Sequence, residues 1–512
     1  MLALCTVLSA LFYPDVPTLK HLFQFVLPEA MFNTLFLLVG VCGLSTIIGV
    51  LAAWLTTSCH FPWRGFFSWA LFLPMAIPGY VMAFSLIGFF EYTGFLQFSL
   101  RNNGINTDFF LDIYSRGGVI FALSLVLYPY VYLLAKSAFK TQGVRCIEVG
   151  QSMGFSVRQS FFKVVLPMAR PWIVGGMLLV MMETLADFGT VSVFNYDTLT
   201  TAIYKSWFGL YSLGSALQIA AISLLLVALL ISVERWSRGA QRFSDNGEQR
   251  LSAVGFRLSG INKWFAFGFC SLVLLFSLIL PVFQLLYWLV PTLTQQLSVP
   301  LWKYIEGSVL LASLSMFFVV CLALVLAFIA RTKEGYDVKI LTRLSTIGYA
   351  VPGTVLAVGI FVPISWLDRQ FVALGAASPI LQGSIIIMLL AYTARFMAVA
   401  YSPIESNFLR VTAQVDMAAR SLGVSGFKLL KRVHVPMMRS GLFTALVLVF
   451  VDVIKELPIT LMTRPFGINT LAIRVYEFTS EGLWERAALP ALIIVLVGVL
   501  PVILLIKRAD HD

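Results

Sequence analysis

The chain has 512 residues, of which 59% are hydrophobic and only 12% charged, with a mean hydropathy of +0.89. A soluble domain of this size carries roughly 25% charged residues, so a water-soluble enzyme or binding module is excluded. The net charge of +11 is dispersed among loops between apolar runs, which leaves little support for nucleic-acid binding.

In chain order, residues 1–13 are apolar but stop at Pro14. Thirteen helical residues reach only about 20 Å, and the segment lacks the cationic opening of a signal peptide. It reads as a shortened or truncated first span. Apolar runs then lie near 35–55, 66–90, 119–135, 172–194 and 216–233, and a second set near 265–290, 309–330, 344–367, 384–401, 442–462 and 487–506. About 20 apolar residues cross a hydrocarbon core of about 30 Å, so these are eleven expected spans. Backbone pairing in lipid requires them to be helices. The fold class is thus an all-α polytopic membrane protein, planned as six spans plus six with a short first member.

Residues 234–263 are polar and turn-forming, and they divide the chain near its middle. The expected organisation is a first half over 1–233, a linker over 234–263 and a second half over 264–512. Most of the 36 Lys and Arg fall in alternate loops, around 136–170, 235–263, 331–343 and 410–439. The positive-inside rule puts those loops, and the C-terminus, in the cytoplasm.

The six cysteines are scattered without a CxxC pair, and there are four histidines, so neither a disulfide framework nor a His-rich metal site is expected. Cys59-His60 reads as a span end rather than a ligand pair. With no Gly-Lys dipeptide there is no Walker A loop. No nucleophile and base pairing stands out, so the chain is expected not to be an enzyme, and any ATP is used by a separate subunit. No covalently bound cofactor is expected.

A pattern recurs 269 residues apart. The first copy, 148–167, opens on Glu148-Val149-Gly150, reaches Gly154, and after nine residues gives Val164-Val165-Leu166-Pro167. The second, 417–436, opens on Met417-Ala418-Ala419, reaches Gly423, and after nine residues gives Val433-His434-Val435-Pro436. Each glycine reads as a turn before a short basic amphipathic helix, which either lies on headgroups or docks a soluble partner. Two equivalent sockets favour the second reading, because a symmetric partner requires them. Another matched pair, Ile77-Pro78-Gly79 and Val351-Pro352-Gly353, breaks an apolar run in each half. Such breaks are either packing kinks or pointers to a transport pathway between repeats.

Four carboxylates fall inside apolar runs: Glu183 and Asp187 in one half, Asp452 and Glu456 at the same 269-residue offset in the other. Spacing i, i+4 places each pair on one helix face. Ionisable groups in a span cost about 2.5–3.5 kcal/mol each on insertion scales, so they mark a pathway or a structural pair. Lys455 can neutralise one of them, leaving a net acidic set whose oxygen ligands suit a hard cation. Arg395 is a further cation within a span.

The repeated loop resembles the EAA loop of ABC-importer permeases, in which Glu-Ala-Ala is followed after three residues by Gly and after nine more by Ile-x-Leu-Pro. The resemblance implies coupling to an ATP-binding subunit through Glu148, Gly154, Leu166, Pro167, Ala418, Ala419, Gly423 and Pro436. The departures are Val149-Gly150 in the first copy and Met417 in the second, with Asp416 just before it. Two halves in one polypeptide is similar to the ferric-iron importer permeases. Glu183-Thr-Leu-Ala-Asp187-Phe-Gly-Thr190 and Asp452-Val-Ile-Lys455-Glu456-Leu-Pro458 point to that branch. This implies a bacterial inner-membrane permease working with a homodimeric ATPase and a periplasmic ferric-ion-binding protein, its route lined by Glu183, Asp187, Asp452 and Glu456, with no fixed metal site. Import of thiamine or another small solute, and proton-coupled secondary transport, are the competing readings.

Overall fold

Helices apolar on all sides satisfy their backbone internally and can be buried in lipid or in each other. The computed structural model describes residues 2–12, 20, 22–107, 112–238, 256–298, 301–333, 335–375, 378–465 and 467–509. Among them ten helices are long and apolar enough to cross a membrane, or eleven if one bent pair is a single span. Each corresponds to one of the eleven apolar runs. Apart from a two-residue parallel ladder between Cys59–His60 and Phe256–Arg257, the described structure is helical, with short turns between helices. That ladder returns the end of the linker to the point where the first long helix stops. Most of the linker, 239–255, lies outside the described residues.

The first half contains α1 (Leu2–Ser9), α2 (Leu27–Ser58), α3 (Gly79–Phe90), α4 (Arg116–Ala138), α5 (Val144–Ser152), α6 (Leu166–Ala186), α7 (Gly189–Val193) and α8 (Leu213–Arg238). The second contains α9 (Leu280–Ser298), α10 (Leu301–Thr332), α11 (Gly353–Ala373), α12 (Ile385–Arg410), α13 (Ala413–Ser421), α14 (Arg439–Lys455), α15 (Pro458–Thr463) and α16 (Trp484–Ala509). The duplication extends to element ends. Both ends of α2 and α10 differ by 274 residues, as do the starts of α3 and α11. Both ends of α5 and α13, and the C-terminal ends of α6 and α14, differ by 269.

The first helix of each half packs on the other half. On α11, a Cβ added at Gly359 would lie 2.7 Å from the Ala3 carbonyl oxygen and 2.9 Å from Val7 Cγ2 of α1. Small residues allow this backbone approach, which is the main source of helix association when lipid removes the hydrophobic drive. Reciprocally, Trp288 of α9 stacks on Phe84 of α3 at 5.9 Å between ring centroids. At the expected short first span the described residues hold an eight-residue helix, about 12 Å long and not among the membrane-crossing candidates, with Val7 fully buried in this exchange.

Four expected spans are not single straight helices. The run 66–90 is interrupted between Leu73–Ala76, a 3₁₀ turn, and α3, with Pro78 extended at φ −60°, ψ 147°. The run 344–367 breaks in the same way between Ile347–Ala350 and α11. Proline lacks the N–H that would continue the ladder and excludes the helical conformation before it. The runs 172–194 and 442–462 break after Ala186 and Lys455, where Asp187 (ψ 128°) and Glu456 (ψ 120°) leave the helix.

Candidate functional site

The four breaks converge. A cavity of about 150 Å³ is lined by Pro78 and Gly79 at one break, Glu183, Asp187 and Phe188 at the second, and Glu456, Leu457 and Pro458 at the third, with Tyr349 just before the fourth. It lies between the two halves, and its volume holds several waters.

In the first half, Asp187 ends α6 and caps α7. Its Oδ2 accepts from the Thr190 hydroxyl at 2.8 Å, and its Oδ1 from the Val191 N–H at 3.1 Å. A carboxylate here satisfies an otherwise orphaned helix donor and complements the positive end of the peptide dipoles. Gly79 faces this turn, since a Cβ there would lie 3.0 Å from Asp187 Oδ2. Gly189 allows the other approach, where a Cβ would meet Tyr80 Cβ at 2.9 Å and Leu457 Cδ2 of the opposite half at 3.2 Å. The Asp-Phe-Gly-Thr run is therefore a helix-break motif: Asp and Thr cap, Phe188 is buried, and Gly admits the neighbouring backbone.

The second half repeats this design with different chemistry. Glu456 Oε1 accepts from the Ile459 N–H at 3.1 Å, capping α15. Its Oε2 lies 3.5 Å from Arg395 Nε, with both side chains less than a tenth exposed. Gly353 admits this pair, because a Cβ there would lie 2.9 Å from Glu456 Oε1 and 3.0 Å from Arg395 Nη1. Asp452 pairs with Lys455 at 3.1 Å. Glu183, Tyr349 and Tyr130 line the same cavity.

Two expectations are corrected here. Glu183 and Asp187 do not share the face of one unbroken helix, nor do Asp452 and Glu456; in each pair the helix ends at the second residue, which turns to cap the next one. The net acidic set is also smaller than four carboxylates against one lysine, because Arg395 lines the same cavity. Four carboxylates and two cations face one another. Both cations come from the second half. At the matching first-half positions stand Val126 and Ala186, which also line the cavity. The Arg395 guanidinium was visible in the sequence as an intramembrane charge, but only packing brings α12 against Glu456.

The repeated loops adopt matched conformations. Gly154 (φ +83°) and Gly423 (φ +75°) end α5 and α13 in the left-handed region. The following N–H groups close back onto the helices, Phe155 to the Gly150 carbonyl at 3.0 Å and Val424 to the Ala419 carbonyl at 2.9 Å. This is a Schellman closure, which favours glycine because it has no Cβ to clash. Glu148 and Met417 occupy equivalent exposed positions, as do Val149 and Ala418. Ala419 is buried. Its counterpart Gly150 has no room for a methyl, since a Cβ there would lie 2.7 Å from Ser160 Cβ. Asp416 does not replace the missing Glu at the surface, because it turns inward to Arg331 at 2.9 Å.

The separate amphipathic helix expected after each glycine is corrected in the first half and found in the second. In the first half the segment runs straight on into the membrane helix, Arg158–Ala186 being one candidate span. Leu166 and Pro167 lie within that continuous span, where the wider turn Phe161–Val165 passes directly into α6. In the second half Gly426–Met437, which contains Pro436, meets α14 at 83°.

Residues 45–239 match the family described as binding-protein-dependent transport system inner membrane component. The chain is 27% identical over 496 residues to the Fe(3+)-transport system permease protein FbpB 2 of Haemophilus influenzae, covering 96% of this chain and 92% of that one. It is 24% identical to the ferric transport system permease protein FbpB of Actinobacillus pleuropneumoniae, over 82% of this chain and 62% of that one. It is 30% identical to the permease protein PhnV of Salmonella typhimurium, over 37% of this chain and 69% of that one. With two pseudo-equivalent helical halves, matched loops and a cavity at their junction, the chain belongs to the inner-membrane permease components of binding-protein-dependent transport systems.

Proposed function

We propose that the chain is the fused permease of an ABC importer that takes ferric ion from a periplasmic binding protein and passes it to the cytoplasm. The cavity carries this reading: four carboxylates meet at the junction of the halves, facing two cations, so the ionised set is net acidic. Hard oxygen donors suit a trivalent cation. Among the described residues no three His, Cys, Asp or Glu side chains converge closely enough to hold a metal together. The cavity thus suits passage rather than storage, since a conducting site must bind weakly enough to release. Similarity to ferric permeases along nearly the whole chain supports the same substrate.

The matched loops, with their exposed glycine turns, are the contacts for a homodimeric ATPase on the cytoplasmic side. Closure and opening of that dimer would move the halves against each other about the cavity. Glu148, Gly154, Leu166 and Pro167 in one half, and Ala418, Ala419, Gly423 and Pro436 in the other, form these two elements. Hydrolysis occurs on the partner, and this chain supplies the route. The basic loops support a cytoplasmic linker and C-terminus.

The test is uptake of radioactive ferric ion into proteoliposomes holding this chain and the ATPase, with the binding protein outside. ATP-dependent iron uptake, and no thiamine uptake, is the expected result. Thiamine uptake without iron uptake, or iron uptake driven by a proton gradient alone, overturns the reading.

A further inference from the structure

The two matched loops are fastened to the protein by different chemistry. In the second half, Arg331 lies in the last turn of α10. Its Nε donates to Asp416 Oδ2 of α13 at 2.9 Å, Nη1 to the Phe408 carbonyl at 2.6 Å and Nη2 to the Val411 carbonyl at 2.8 Å. One guanidinium thus ties the end of α10 to the end of α12 and to the first helix of the loop. Asp416 Oδ1 in turn lies 3.3 Å from Nε2 of His434, which is fully buried between the rings of Phe328 and Phe408. In the first half the loop positions matching Asp416 and His434 are Ile147 and Val165, both buried, and the helix position matching Arg331 is Thr57. There two buried apolar side chains stand where the second half has an acid and an imidazole.

We propose that Arg331, Asp416 and His434 are positioning residues for the second loop, an ionic clamp that holds α13 in register with α10 and α12 so that ATPase movement reaches the second half. The proposal rests on the ATPase-coupling reading above. The physical reason for a clamp is local. The second loop segment is bent by 83° from α14 at Met438, whereas the first continues unbroken into α6. A loop not stiffened by the helix that follows it needs a lateral tie, and a planar fork that satisfies a carboxylate and two carbonyls supplies one. The clamp also explains why the acid beside Met417 is absent from the exposed surface.

The experiment measures iron imported per ATP hydrolysed in proteoliposomes for wild type, D416I, D416N, D416E and the triple variant R331T/D416I/H434V. D416I strands the Arg331 charge, and D416N keeps the shape while removing the ionic tie. Both are expected to lower the transport-to-hydrolysis ratio by about fivefold or more, the lower end of a site-to-site coupling energy. D416E should recover part of the ratio. The triple variant, which installs first-half chemistry, should return it to within about twofold of wild type, because an apolar contact can replace an ion pair when both charges leave together. An unchanged ratio in D416N and D416I overturns the proposal. A triple variant no better than D416I assigns the residues to general folding and also overturns it. Wild type that shows no ATP-driven uptake fails the coupling reading itself, an outcome separate from these.

Discussion

Replacing Arg395 with Met tests whether the cavity charges are a balanced set. At 3.5 Å from Glu456, a pair of unit charges attracts by about 5 kcal/mol at an effective dielectric constant of about 20. Breaking a buried pair by removing one partner costs about 3–5 kcal/mol, since the remaining charge stays buried and unneutralised. R395M leaves Glu456 beside Glu183 and Asp452, so it should fall at the upper end. E456Q is milder, because Arg395 still faces the carboxylates of Glu183 and Asp452. The double variant R395M/E456Q removes both charges and should be more stable than R395M alone, by about 2 kcal/mol or more. With an unfolding entropy of about 2 cal/mol/K per residue, each kcal/mol shifts the midpoint of a chain this long by about 1 °C. R395M should therefore melt about 3–5 °C below wild type in detergent, and the double variant should recover part of that loss. A melting point within a degree of wild type for R395M, or equal melting of R395M and the double variant, would refute the balanced-set argument.

Gly154 and Gly423 replaced by Val should each lose coupling of ATP hydrolysis to uptake while still reaching the membrane. Space around both is open, so the penalty is conformational, about 1–2 kcal/mol for a left-handed residue with a Cβ. Normal uptake in both variants would remove the docking role. The double amide D187N/E456Q should cut ferric uptake by about tenfold, equivalent to about 1.4 kcal/mol of lost attraction, with ATPase assembly retained. Unchanged uptake at normal protein levels would assign these groups to helix capping alone. Cysteines introduced one at a time across 234–263 should react only with reagents on the cytoplasmic side, and labelling from outside would invert every span.

The sequence alone determined the class, the number of long apolar runs and the duplication. Composition, run length and a repeated spacing are local properties, and each of the eleven runs corresponds to one helical span or bent pair. It also marked the special positions, since Pro78-Gly79, Pro352-Gly353, Asp187 and Glu456 all interrupt apolar segments. What they do together depended on the tertiary structure. The i, i+4 spacing of Glu183 and Asp187 presumed an intact helix, yet Asp187 gains more by capping α7 against Gly79 than by continuing α6. Arg395 was one intramembrane cation among residues of unknown neighbours until α12 packed against Glu456. Asp416 is in the sequence only the acid just before Met417, and the end of α10, 85 residues away in the chain, turns it inward. Periodicity and spacing report what a residue does to its own helix. Partners brought from distant helices are chosen by packing between them, and in this protein that packing decided the charge balance of the cavity and the fastening of the second loop.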